Sequence, residues 1–288
     1  MVTYVIISNP EDLRSMSSDL RDADKPLDLH VLNIWCRSLE DLGLQREILQ
    51  SKNISNSERL ELRCVLSKKG KEELQFLEET FRSETKYPNV YQMLHVNVDD
   101  VDDDDVDDDD VDDDDVDYDM ADVGRCICNI SHKLHSDFKI TLSDMIRSDR
   151  DVKILAKALE GAKLCTFGCH GAKLHGSVAH LAPLITSSLK ELYLDECNLT
   201  DGDIPDLIHI LPVGHGLVKL DVSGNTFTVC SIDALTTHLK NLPKFGCLNI
   251  GDSNPEAESV KEVVQRNLAE MKEIEVGIFE TNTYTLED

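Results

Sequence analysis

The sequence predicts an α/β solenoid: stacked strand–turn–helix units with parallel strands on a concave face, helices outside, and a disordered acidic insertion. Three observations predict it. An apolar pattern returns at 28-residue steps in the C-terminal half. Apolar stripes of helical period fill the intervals between those patterns. A run of aspartates at residues 98–119 breaks into the chain with a period of five, which suits neither helix nor strand.

The repeating stretch begins "LKELYLDECNL" at Leu189, "LVKLDVSGNTF" at Leu217 and "FGCLNIGDSNP" at Phe245. Each follows L-x-x-L-x-L-x-x-N/C-x-L. Leu189, Leu192, Leu194, Cys197 and Leu199 fill the first, and Leu217, Leu220, Val222, Asn225 and Phe227 the second. The third fits more loosely, with Phe245, Leu248, Ile250, Ser253 and Pro255. Outward from these, Leu164, Phe167, Cys169 and Leu174 repeat the pattern with Ala172 in the Asn/Cys slot. Phe138, Ile140 and Met145 precede them, and Val276 and Ile278 follow. Between strands, Ile204, Leu207, Ile208 and Leu211 have helical spacing. So do Ile154, Leu155, Ala158 and Leu159, and Val260, Val263, Val264, Leu268 and Met271, while Ile232, Leu235, Leu239 and Leu242 form a looser stripe. The last strand, in "VGIFETNTYTLED", comes without an evident capping unit.

One such unit cannot bury its own apolar face, so neighbours bury it together. Strands pack closer than helices, which curves the stack with its strands on the concave side. The turn after each strand leaves backbone groups unpaired. Asn225 has the donor and acceptor to satisfy them, and Cys197 fills the same slot by packing.

Residues ~135–280 resemble the ribonuclease-inhibitor-like class of leucine-rich repeats, on the 28-residue unit and its helical second half. Within that class the spacing resembles the C-terminal repeats of NLR-type immune receptors. The resemblance implies a protein-binding solenoid whose partner lies on the concave face. No G-x-x-x-x-G-K-[ST] is present, so the nucleotide-binding module of a full receptor is not expected in this sequence.

The N-terminal third alternates in the same order. Strands are expected at 27–34, 59–66 and 90–98, and helices at 38–51 and 71–83. Residues 1–97 therefore read as diverged repeats or a small α/β region, 98–122 as the disordered Asp-rich insertion, and 123–288 as leucine-rich repeats. The net charge is −27, and the chain is acidic even outside the aspartate run, which amplifies the imbalance. The 16 aspartates of residues 99–119 leave 40 acidic against 29 basic residues elsewhere. That balance argues against direct nucleic-acid binding and against anionic membranes, and favours basic partners. No stretch reaches the roughly 18 apolar residues of a membrane span. An odd count of nine cysteines and no signal peptide point to reduced thiols in the cytoplasm, or alternatively the nucleus.

The acidic run raises an alternative function: an acidic chaperone or buffer for basic proteins such as histones. Calcium binding is the weaker option, because the run has neither the glycine nor the glutamate of an EF-hand loop. Shielding a basic surface in cis is a further reading, and a tolerated low-complexity loop the plainest one. Cys126 and Cys128, and Cys165, Cys169, His170 and His175, invite zinc, but not at a standard finger spacing, and Cys169 occupies an inward repeat slot. No catalytic motif is present, and neither catalytic residues, a metal nor a cofactor is assigned. The expected site is the concave face, where alternate strand residues point outward: Glu191, Tyr193 and Asp195; Lys219, Asp221 and Ser223; and Asn249 with Cys247 and Gly251. Tyr193, with acidic neighbours, has the character of a hot-spot centre. The expected function is an intracellular protein–protein interaction scaffold, with no enzyme activity.

Overall fold

The computed structural model describes residues 4–7, 10–22, 27–28, 31–36, 39–50, 54–55, 59–66, 75–76, 78–79, 91–98, 119–133, 138–143, 145–251, 257–269, 275–279 and 282–285. The fold is α/β, and the chain divides into two compact units, Met1–Ile140 and Thr141–Asp288.

The first unit holds β1 (Tyr4–Ile7), α1 (Pro10–Asp22), β2 (Leu27–Asp28), β3 (Val31–Cys36), α2 (Leu39–Gln50), β4 (Ile54–Ser55), β5 (Arg59–Leu66), β6 (Tyr91–Val98) and α3 (Met120–Lys133). Strands β1, β3, β5 and β6 pair in that order, all parallel. Their register aligns Tyr4, Val31, Arg59 and Tyr91, steps of 27, 28 and 32 residues. The short β2 and β4 pair separately, Leu27 with Ile54. Parallel neighbours require a crossover, and α1 supplies it between β1 and β3 and α2 between β3 and β5. Helix α1 opens on Pro10 with Glu11 and Asp12 in its first turn, residues suited to a helix N-terminus. It packs beside α2, where Leu13, Leu20, Leu42 and Ile48 are buried. Exposed ion pairs Arg14–Glu40 (2.7 Å) and Arg21–Glu47 (3.1 Å) join the two helices. At that exposure they add little to stability.

The expected strands at 59–66 and 90–98 match β5 and β6, and that at 27–34 divides between β2 and β3. The expected helix at 71–83 lies mostly outside the described residues, as does the aspartate run up to residue 118. Helix α3 starts at Met120, inside the range expected for the insertion. Val123, Ile127 and Ile130 form its buried stripe.

The boundary between units falls within β7 (Phe138–Ser143). The second unit continues through α4 (Asp149–Ala158), β8 (Leu164–His170), a 3-10 segment (Val178–Leu184), β9 (Glu191–Tyr193), a 3-10 turn (Asp201–Asp203), α5 (Ile204–Ile210), β10 (Lys219–Asp221), α6 (Val229–Leu239), β11 (Cys247–Asn249), α7 (Ala257–Leu268), β12 (Glu275–Phe279) and β13 (Asn282–Thr285). Strands β8 to β12 are parallel neighbours in chain order, and β13 returns antiparallel beside β12. Thr166 stands opposite Glu191, a step of 25 residues. Glu191, Lys219, Cys247 and Glu275 then align at steps of 28. The sequence period is therefore the strand register. On the helical side, α4, the Val178–Leu184 segment, α5, α6 and α7 are neighbours in the same order.

The core lies between these two layers. Phe167, Leu192, Leu220 and Leu248 form one strand row at 0% exposure. Leu155, Leu181, Leu207, Leu235 and Val264 come from the helical side, all buried. Each such side chain contributes about 1.5–3 kcal/mol through its removal from water. Asn225 fastens the turn after β10. Its Nδ2 donates to the Leu194 (2.7 Å) and Val222 (2.9 Å) carbonyls, and its Oδ1 accepts from Leu199 N (2.9 Å). Cys197, one unit earlier, is fully buried and reaches the Cys169 carbonyl oxygen.

Polar side chains also clamp successive units. Asp203 completes a capping box with Thr200, and its other oxygen accepts from Gly176 N at 2.6 Å, one unit back. Asp201 accepts from Thr228 N (2.8 Å) and Thr228 Oγ1 (2.9 Å), and Asp149 from Ser177 Oγ (2.8 Å).

Candidate protein-binding face

Strands β9 to β11 are three residues long and alternate: the central leucine is buried, and its flanking residues face away from the core. Parallel register sets those flanking residues in rows. One row is Thr166, Glu191, Lys219 and Cys247; the next is Gly168, Tyr193, Asp221 and Asn249. Asp195, Ser223 and Gly251 continue the face into the turns. The expected residues are thus brought together on one surface of the second unit.

Tyr193 sits at its centre, half-buried. Lys219 Nζ lies 4.9 Å from its ring centroid, and its hydroxyl donates to Glu191 Oε2 at 3.3 Å. Thr166 Oγ1 donates to the same Glu191 oxygen at 3.0 Å. Burial, then the Glu191 carboxylate, pushes the Tyr193 phenol well above its ordinary value. The ring is held by a cation–π contact and a hydrogen bond, which fix its position on the strand face.

Asp221 departs from the expectation of an exposed carboxylate. It is only 8% exposed. Its Oδ1 accepts from Ser223 N (3.1 Å) and Ser223 Oγ (2.7 Å), and its Oδ2 from Asn249 Nδ2 (2.8 Å). Asp221 orients Ser223 and Asn249 rather than projecting from the face. Tyr193, Asp195, Glu191, Lys219, Ser223 and Asn249 all remain partly exposed.

Strand β8 and the turn after β9 add residues to the expected set. Gly168 stands where a Cβ would come 3.1 Å from Thr141 Cγ2 and 3.2 Å from Tyr193 Cβ, so the absent side chain makes room for both. His170 Nδ1 contacts Asp195 Oδ2 at 2.5 Å, and its Nε2 lies 3.9 Å from Glu196 Oε2. Glu196 has φ 55°, at the turn position where Gly171 (φ 65°) and Gly224 (φ 68°) stand in the flanking units. Register across β8 was the available signal for Thr166 and Gly168. For Glu196 it was the glycine at the matching position one unit on.

The zinc candidates do not assemble. Cys126 and Cys128 lie two apart on α3, buried and half-buried, and burial pushes the Cys128 thiol up. Burial first, and then the neighbouring Cys197 and Asp195, push the fully buried Cys169 thiol well up. His170 faces Asp195, and His175 Nδ1 faces Asp203 Oδ2 at 2.9 Å. Burial would raise the Asp203 carboxyl. Donors from Gly176, His175 and Thr200 outweigh it and hold the group below its ordinary value. Among the described residues no cluster of three or more His, Cys, Asp or Glu is arranged to hold a metal, and no helix is long and apolar enough to cross a membrane.

No family model matches the sequence, and no curated protein matches it.

Proposed function

We propose that this chain is a protein-interaction scaffold, a leucine-rich-repeat solenoid of the ribonuclease-inhibitor-like class. It holds a protein partner on the strand face around Tyr193 and performs no catalysis. One observation carries the reading: the 28-residue step in sequence is also the strand register, so the rows Glu191–Lys219–Cys247 and Tyr193–Asp221–Asn249 form a continuous polar surface over a sealed leucine row. A surface of ordered, partly exposed polar and aromatic side chains on a rigid sheet suits protein recognition. The resemblance to the repeats of NLR-type receptors supports the same reading and an intracellular setting.

The second reading is an acidic chaperone or buffer for basic proteins, working through residues 98–119. What favours it is the density of 16 aspartates in residues 99–119. Affinity capture from native lysate at low and moderate salt separates the two, with three baits: the intact chain, a chain deleted for 98–119, and Tyr193→Ala with Lys219→Ala. A discrete partner that survives the deletion and is lost with the double substitution supports the scaffold. Basic proteins that vanish with the deletion and wash off in salt support the acidic buffer instead.

A further inference from the structure

We infer that the loop at 212–217, between α5 and β10, is a proton-sensitive latch: it closes on the preceding unit while His215 is neutral and opens when that imidazole takes up a proton. The closed geometry fixes the tautomer. His215 Nε2 lies 2.8 Å from the Thr186 carbonyl oxygen, which can only accept, so Nε2 carries the hydrogen. Nδ1 is then a bare acceptor. It is sealed from solvent without a hydrogen-bond partner, in a residue 8% exposed. A proton added there would aim a cationic N–H at no acceptor. A bare buried acceptor is tolerable, whereas a buried cationic donor without a partner is far costlier. Closure and protonation therefore exclude each other.

The surroundings offer the imidazolium no anion. On the preceding loop, Lys190 is a cation, and its Nζ is 3.4 Å from where a Cβ on Gly216 would stand. His180, on the 3-10 segment behind that loop, faces Asp149. On α5 the groups are Asp206 and His209, and on α6 Asp233, taken by Arg266 and Asn267, and His238. Lys240 and Lys244 follow α6; on β10, Lys219 lies over Tyr193 and Asp221 is held by Ser223 and Asn249. Among the described residues none of these carboxylates pairs with His215. The loop can also swing. Gly214 has φ 94°, with nothing within 4 Å of its Cβ position, and Val213 at the tip is 71% exposed, so it holds the loop to nothing. His238 Nε2 reaches the Leu211 carbonyl oxygen at 2.5 Å from the following unit, but has no orphan nitrogen. The proton-sensitive hold is therefore at His215.

The size of the effect follows from linkage. If the open loop takes up a proton at the ordinary imidazole value of about 6.5 and the closed loop takes up none, the opening equilibrium rises about tenfold from pH 7.5 to pH 5.5. The latch is thus fully closed above that value and is lost as pH falls below it. The test is hydrogen–deuterium exchange on the full-length chain at those two pH values, corrected for the intrinsic pH dependence of amide exchange. Protection at 212–218 should fall about tenfold, while that of α7 stays unchanged. His215→Gln keeps a donor for Thr186 but cannot titrate, and should abolish the pH response; His238→Gln should keep it. The imidazole nitrogen resonances of the parent chain need no substitution. They should show the Nε2–H tautomer at pH 7.5, and protonated His215 only in the fraction whose loop is open. Protection that is the same at both pH values, an equal pH response in His215→Gln, or a doubly protonated His215 in a loop that stays protected overturns the inference.

Discussion

Replacing Asn225 tests how the repeat is held together. The side chain is 6% exposed. Its two Nδ2 hydrogens serve carbonyls at Leu194 (2.7 Å) and Val222 (2.9 Å), with Ser223 O farther at 3.2 Å, and its Oδ1 serves Leu199 N (2.9 Å). Asn225→Ala removes three good hydrogen bonds at about 1 kcal/mol each and leaves the Leu199 N–H buried without an acceptor. The expected loss is therefore about 3–4 kcal/mol. With a slope of about 2 kcal/mol/M in urea, the midpoint of the far-UV circular dichroism transition falls by roughly 1.5–2 M. Asn225→Cys should recover about 1 kcal/mol of this, because a thiol already fills the slot at Cys197. If Asn225→Ala stays within about 0.5 kcal/mol of the parent chain, the claim that this side chain satisfies the turn is refuted.

Three further outcomes follow from the geometry. Gly224 has φ 68°, and a Cβ there would sit 2.5 Å from Glu196 Cγ, so Gly224→Ala should cost about 2 kcal/mol in urea unfolding, and Glu196→Gly in the same chain should return about half. Asp203 is held below the ordinary carboxyl value, so its contribution is complete above the unfolded pKa of about 3.9 and is lost as pH falls through the folded value. Asp203→Asn should accordingly flatten the acid limb of the stability profile below about pH 4, checked by thermal melts across pH. The Tyr193 phenol is raised, so in an alkaline absorbance titration Tyr193→Phe should remove a component that ionises above the ordinary value of about 10. The sign is that of a group whose stabilising effect is present below the unfolded pKa and lost as pH rises.

The repeat was readable in sequence because one physical requirement recurs at fixed spacing. Leu192, Leu220 and Leu248 must each be sealed under the next unit, and their 28-residue step became the strand register. The Asn/Cys slot was readable for the same reason. The first unit was harder. Helix α1 has a thin stripe, Leu13 and Leu20 with Ser17 between them, and that serine is buried only because it donates to Glu47 from α2 at 2.8 Å. Helix α3 was obscured by its cysteines, which suggested a metal while Val123, Ile127 and Ile130 carried the helical period.

The candidate face was readable in its membership but not in its detail. Alternation places Asp221 outward, yet Ser223 and Asn249 close over it, and that depends on side chains up to 28 residues away. The contact of Lys219 with Tyr193 is diagonal between strands and needs the register before it can be drawn. Glu196 was legible only by setting it against Gly224, one 28-residue step on, and its backbone angle needed the structure.

The most direct test of the central claim is hydrogen–deuterium exchange on the full chain, with and without the discrete partner captured from lysate. The account predicts slowed exchange at residues 191–196, 219–224 and 247–251, and little change on α5 and α6. Protection confined to 98–119, or to the helical side with the strand rows unchanged, would contradict it.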